Sequence, residues 1–199
     1  MLLDSLKVYE PTNAEQKHHA DILRLIEHHA DCFYRTHFNP GHITGSALLL
    51  SYDESRVLMN HHKFLDMWIC FGGHADGEQN ILNVARREVM EESGIKEIEP
   101  VMESIFDVDV HAIPPNLKKN EPEHKHFDIR YLFRVRNKES EIFIQSDESH
   151  DLRWCDYTQA KALALPKDIS MHRLLDKWHG FACAKGTKQI QQPYQTAKG

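Results

Sequence analysis

Apolar and polar positions alternate along this chain in blocks whose periods predict its elements. Within residues 13–33, Leu23, Ile26, Ala30 and Phe33 recur at three- and four-residue intervals among polar neighbours, the spacing of an amphipathic helix. Pro40 and Gly41 then break the chain. Residues 43–51 are apolar enough for a central strand, residues 56–61 for its hairpin partner after the Asp53-Glu54-Ser55 turn, and residues 67–71 for a third strand running into Gly72-Gly73. A second helical period follows, with Asn80 as N-cap, Leu82, Ala85 and Val89 as the inward stripe, and Gly94 as the closing glycine. Residues 104–112 and 127–135 read as two further strands, separated by a polar, proline-bearing loop at 114–123 of the kind that borders a site. Helices are expected over 157–165 and 169–182, the latter with Met171, Leu174, Leu175 and Trp178 inward, before a polar, Gln-rich and mobile tail at 185–199.

One stretch stands apart from this patterning. Gly73 is followed after five residues by Gln79, and after seven more by Arg87-Glu88-Val89-Met90-Glu91-Glu92-Ser93-Gly94-Ile95. At about 100° per residue, Glu88, Glu91 and Glu92 project from one stripe of the predicted helix. Like charges so placed destabilise a helix, and a hard divalent cation with its preference for oxygen ligands is the natural compensation. The stripe therefore predicts a magnesium-like site; the bland alternative is an acidic, solvated helix face.

These residues resemble the signature of the Nudix hydrolases: glycine, five residues, glutamate, seven residues, Arg-Glu, an aliphatic, one residue, Glu-Glu, one residue, glycine, an aliphatic. Gln79 is the one departure, since the family has glutamate there, and Glu78 is its neighbour. The resemblance implies an α/β/α sandwich around a mixed sheet, with additional N-terminal and C-terminal helices that close over the sheet or offer a homodimer surface. It divides the chain into a helical extension at 1–40, the domain proper at 41–184 and the tail. It also implies metal-dependent (Mg2+ or Mn2+) hydrolysis of a diphosphate linkage in a nucleoside diphosphate derivative or related small molecule. Gly72 through its carbonyl, Glu88, Glu91 and Glu92 would hold the metal, with Gln79 and Arg87 as structural supports. Glu88 or, from a late loop, Glu148 would act as the base, although both could instead be metal ligands. The run from Glu148 to Trp154 looks like the late Nudix segment in which an acidic residue precedes a strand.

Substrate contacts are sought among Lys63 and Arg130 for phosphate, each equally readable as a solvated charge, and among Trp68, Phe106, Phe127 and Tyr131 for a flat apolar group, most of which would be core. Two other functions share the fold. A catalytically weak domain used as a nucleotide-binding or sensing module is suggested by Gln79 and the extra helices, and isoprenoid diphosphate isomerisation is poorly supported by Cys70 alone.

Composition narrows the partners. A length of 199 residues suits one domain with additions, and a formal charge of -6 argues against broad binding to nucleic-acid polymers or anionic membranes. No segment approaches the roughly 18 apolar residues of a membrane span, so a cytoplasmic protein is expected. Cys32, Cys70, Cys155 and Cys183 show no paired metal-ligand spacing and read as reduced, buried thiols. The 15 histidines are the oddity, with pairs at His18-His19, His28-His29 and His61-His62. Those in helical segments suit polar faces, whereas His124 and His126 share one face of a strand and are the better candidates for a zinc site.

Overall fold

The computed structural model describes residues 2–117, 119–144 and 146–190. Two helices, α1 (Leu2–Val8) and α2 (Gln16–His28), precede β1 (Gly41–Leu50), β2 (Val57–His62), β3 (Met67–Ile69) and β4 (Phe71–His74). Helix α3 (Ile81–Ser93), strands β5 (Ile98–Pro100), β6 (Asp107–Ile113), β7 (His124–Val135) and β8 (Ser149–Cys155), and helices α4 (Tyr157–Leu163) and α5 (Ile169–Ile190) complete it. The eight strands form one sheet. It is mixed, because β1 and β7 run parallel from Gly41↔Lys125 to Leu50↔Arg134 while the remaining pairs are antiparallel.

β1 is buried along its whole length, and its side chains alternate between two cores. Ile43, Ala47 and Leu49 face a core built with Val84, Ala85 and Val89 of α3 and Ile22 and Leu25 of α2. Leu48 and Leu50 face the other, with Met171, Leu174, Leu175 and Trp178 of α5. Each Val, Leu, Ile or Met among them contributes about 1.5–3 kcal/mol of burial. Helices on both faces of a mixed sheet make the expected α/β/α sandwich.

Several expected boundaries shift. The stretch expected as one strand at 67–71 is two, because β3 pairs with β2 whereas β4 turns to pair with β1. α1 and β5 are elements too short to carry a period, and α5 continues through Ile190 where a tail was expected; residues 191–199 lie outside the described residues. Among the described residues no helix is long and apolar enough to cross a membrane. Cys32 and Cys155 are buried as expected, Cys70 is partly buried and Cys183 is exposed.

The terminal helices are tied to the sheet by buried charge. Arg130 of β7 donates through Nε to Asp128 (2.7 Å) and through Nη1 to Asp107 (3.2 Å) and Ser170 (2.8 Å), while Arg173 of α5 reaches Asp107 and Asp109 at 3.0 and 3.1 Å. Glu15, fully buried just before α2, accepts from Lys177 of α5 (2.6 Å), from Thr12, and from Tyr9. The open edge of β6 is covered by the same extension, since His18 Nδ1 accepts the Val110 N–H at 2.8 Å. Capping an edge strand in this way removes a site for unwanted strand pairing.

Candidate active site

One edge of β1 is shared by two strands. β2 meets its last residues, Leu49↔Leu58 and Leu50↔Val57, and β4 meets its middle, Thr44↔His74 through Ala47↔Phe71. The N–H of Gly72 points away from β1 and finds its acceptor on α3: Glu92 Oε1 lies at 3.0 Å, and Glu92 Oε2 accepts from Asn60 Nδ2 of β2 at 2.7 Å. Glu92 thereby stitches the helix to both diverging strands. It is only 7% exposed. Burial, the largest influence, together with repulsion from Glu88 and Glu148, pushes its carboxyl up to about 8 against the opposing hydrogen bonds from Gly72 and Asn60.

Glu88 sits one turn earlier. Its carboxylate lies over Gly73, where a Cβ would come within 2.5–2.6 Å of it, and a Cβ at Gly72 would strike Ser46 Oγ at 2.2 Å, so this close approach needs both glycines. Burial raises Glu88, and repulsion from Glu91 and Glu148 adds to that, while the hydrogen bond and charge of Arg87 oppose it. Arg87 Nη2 donates to Glu88 Oε1 at 2.7 Å and to the His74 carbonyl at 2.9 Å, and Arg87 Nε is 3.9 Å from Glu91 Oε2. Glu91 stands at the rim with a side chain 63% exposed. Asn60 Oδ1 is buried beside Glu92 without a partner among the described residues. Hard oxygen donors with one arginine among them, and an orphaned buried oxygen next to them, fit a divalent cation.

Residues 42–178, spanning this helix and the sheet around it, match the sequence profile of the NUDIX domain. The chain belongs to the NUDIX family. Among its relatives, the probable DHNTP pyrophosphohydrolase of Lactococcus lactis subsp. cremoris is 32% identical over 97 residues, which is 49% of this chain and 57% of that protein. The match thus spans little more than half of the relative's length. A C. elegans Ap4A hydrolase structure superposes with a TM-score of 0.57 at 17% identity, covering 71% of this chain and 98% of that one. The E. coli dihydroneopterin triphosphate pyrophosphohydrolase does so at 0.50 and 17%, covering 68% and 92%. At these identities the structures share the fold.

The other residues singled out in the sequence of this NUDIX domain divide sharply. Lys63 and Glu148 line one open cleft of about 480 Å³ with His62, Phe64, Lys119 and Asp147. Lys63 Nζ donates to the Asp147 carbonyl at 3.0 Å, and the Lys63 N–H to the Glu148 carbonyl at 2.8 Å. The charge of Glu148 acts on both Glu88 and Glu92, so the cleft adjoins the carboxylates. Trp68 is turned to the opposite face of the sheet from Asn60, stacked on His61 at 5.0 Å with the Arg153 guanidinium 5.1 Å from its ring. Arg130 corrects the expectation of a phosphate contact or a solvated charge: it is 6% exposed, and its donors are taken by Asp128, Asp107, Asp109 and Ser170. Phe106, Phe127 and Tyr131 are core.

Gln79 forms no hydrogen bond with Arg87 among the described residues. It is exposed and forms no hydrogen bond among the described residues, and Arg87 spans from the helix to the β4 carbonyl without it. Gly72, implied as a carbonyl ligand, lies beside the carboxylates and donates its N–H to Glu92. Asn60 and Lys119 were missed. Asn60 had a signal, a polar residue two positions from Leu58 on the inward face of an apolar strand. Lys119 had none beyond its place in the loop at 114–123.

Proposed function

We propose that this NUDIX domain is a pyrophosphohydrolase that cleaves a diphosphate linkage in a nucleoside diphosphate derivative or related small molecule, using Mg2+ or Mn2+ held by Glu88, Glu91 and Glu92. The carrying observation is the convergence of the buried Glu92, the half-buried Glu88 and Glu91 at the rim on Gly72-Gly73 of β4, beside a cleft that presents Lys63 and Lys119. A divalent ion there would offset phosphate charge and acidify the attacking water. Glu88 is positioned to accept the water's proton, because its carboxyl is raised by burial and fixed by Arg87. Glu148 is the second candidate, on the rim of the same cleft. Lys63 and Lys119 would meet phosphate oxygens, and Phe64 in the same cleft offers a flat apolar surface to the attached group. Arg87 holds the helix to the β4 carbonyl so that the carboxylates keep their separation. The name of the Lactococcus relative supports the reaction class.

Purified protein incubated with dihydroneopterin triphosphate, Ap4A and ADP-ribose in Mg2+ or Mn2+ should release phosphate products from at least one of them. A chelator should abolish turnover, and Glu91→Gln and Glu92→Gln should weaken metal binding without unfolding the protein. Tight nucleotide binding with no hydrolysis under any metal would replace the enzyme by a sensing module.

A further inference from the structure

A second group of metal-ligating side chains lies at the end of the sheet where β1 and β7 begin. His42 stands directly across from His126 in the parallel register, and His124 shares that face two residues earlier on β7. The three imidazoles offer ring nitrogens that all lie within 4.8 Å of one another. Their ring centroids are 4.8–5.3 Å apart. His42 and His124 are 1% and 5% exposed.

The hydrogen bonds define which nitrogens are available. His42 Nδ1 is 3.2 Å from the His37 carbonyl and His124 Nδ1 is 2.7 Å from the Pro122 carbonyl. A carbonyl only accepts, so each Nδ1 carries the proton and each Nε2 is a bare lone pair in the neutral ring. Among the described residues His42 Nε2 is buried without a partner, and so is His126 Nε2. An unsatisfied buried polar atom costs about 1–3 kcal/mol, and two on neighbouring residues are uncommon.

We propose that His42, His124 and His126 form a second metal centre, distinct from the carboxylate site, that takes Zn2+. Neutral imidazoles select a borderline transition ion, whereas Mg2+ prefers oxygen. Ligating histidines typically donate their other ring N–H to a carbonyl or carboxylate, as His42 and His124 do here. The fourth position is open toward His74 of β4, whose ring centroid is 5.0 and 5.2 Å from those of His42 and His126. His74 follows Gly73 directly, and its carbonyl receives Arg87. The ion would therefore clamp the strand ends next to Gly72-Gly73 of β4, a positioning role rather than a catalytic one. The neighbouring group of His29, Asp31 and His37 is a weaker candidate, because both ring nitrogens of His37 are already engaged.

The test uses the full chain carrying Glu88→Gln, Glu91→Gln and Glu92→Gln, stripped of metal by a chelator and titrated with Co2+ and Zn2+ at neutral pH. One Zn2+ per chain should bind, and Co2+ should show the visible bands of a nitrogen-ligated ion, displaced by Zn2+ and not by excess Mg2+. Adding His126→Asn should weaken Zn2+ by at least about 100-fold. Absence of a Co2+ band and of bound Zn2+ in the triple variant overturns the proposal, as does unchanged affinity in a folded His126→Asn protein. Should that variant unfold, imidazole NMR signals of the unsubstituted chain decide: one equivalent of Zn2+ must perturb His42, His124 and His126, and perturbation confined to His29 and His37 refutes the site.

Discussion

Two clusters of acidic side chains lie close to the sheet, and they are handled in opposite ways. Asp107, Asp109 and Asp128 are almost fully buried, yet Arg130 and Arg173 approach them at 2.7–3.4 Å. Among the described residues, Glu88 and Glu91 have one cation beside them, Arg87, and Glu92 pairs with none, while Glu148 adds further negative charge. The first cluster is electrostatically finished and serves as a fastening for α5 and the N-terminal extension. The second is left short of positive charge in the folded chain. Burial by itself therefore does not mark a functional carboxylate; burial without counter-charge does.

The strongest way to break this comparison is to remove the proposed proton acceptor. Glu88→Gln should lower turnover by roughly 10²–10⁴-fold, with Glu148→Gln losing less, at saturating metal. The reverse ordering moves the base to Glu148. Rescue of Glu88→Gln by excess Mn2+ would point to lost binding rather than lost proton transfer.

Next in size is the paired cluster. Arg130→Met leaves three buried aspartates short of their partner and should cost about 3–5 kcal/mol in urea unfolding. The matching change on the other side, Glu92→Gln in chelator-treated protein, relieves the cost of protonating a buried carboxyl that the fold has not compensated and should leave stability unchanged or higher at neutral pH. Equal losses from both would erase the distinction between the clusters.

Glu15 gives a smaller effect with a defined pH window. Burial opposes its charge, but hydrogen bonds from Lys177, Thr12 and Tyr9 outweigh burial and hold the carboxyl at about 2. Since the unfolded value is near 4.3, this stabilisation is present above about pH 4.3 and disappears as pH falls through about 2. It is worth about 2–3 kcal/mol. Acid unfolding of the Glu15→Gln variant should lack that segment of the pH dependence, and a superimposable profile would remove Glu15 as the clasp.

The smallest change tests Gln79. With its side chain exposed and unbonded among the described residues, Gln79→Glu should shift stability by no more than about 0–1 kcal/mol. A modest gain in metal affinity would restore the support role that the family pattern implies. A loss of both stability and activity would instead give Gln79 a role of its own.

The sequence by itself determined the carboxylate helix and the layers around it. Spacing along one helix is a local property, so Glu88, Glu91 and Glu92 share a face in any fold that keeps α3, and the apolar run at 43–51 already marks a central strand. Tertiary structure decided what those residues mean to one another. Glu92 became buried because β2 and β4 diverge along one edge of β1, which let it bridge Asn60 and Gly72. Arg130 and Lys63 looked alike as basic residues in a strand or at its end, and only the pairing of β6 with β7 and the packing of α5 put aspartates around one and open cleft around the other. The histidines show the same limit most plainly: the sequence placed His124 and His126 on one face, and the parallel pairing of β1 with β7, across more than eighty residues of chain, brought His42 to them. Local periodicity fixes which side chains point the same way, whereas long-range pairing fixes which of them meet.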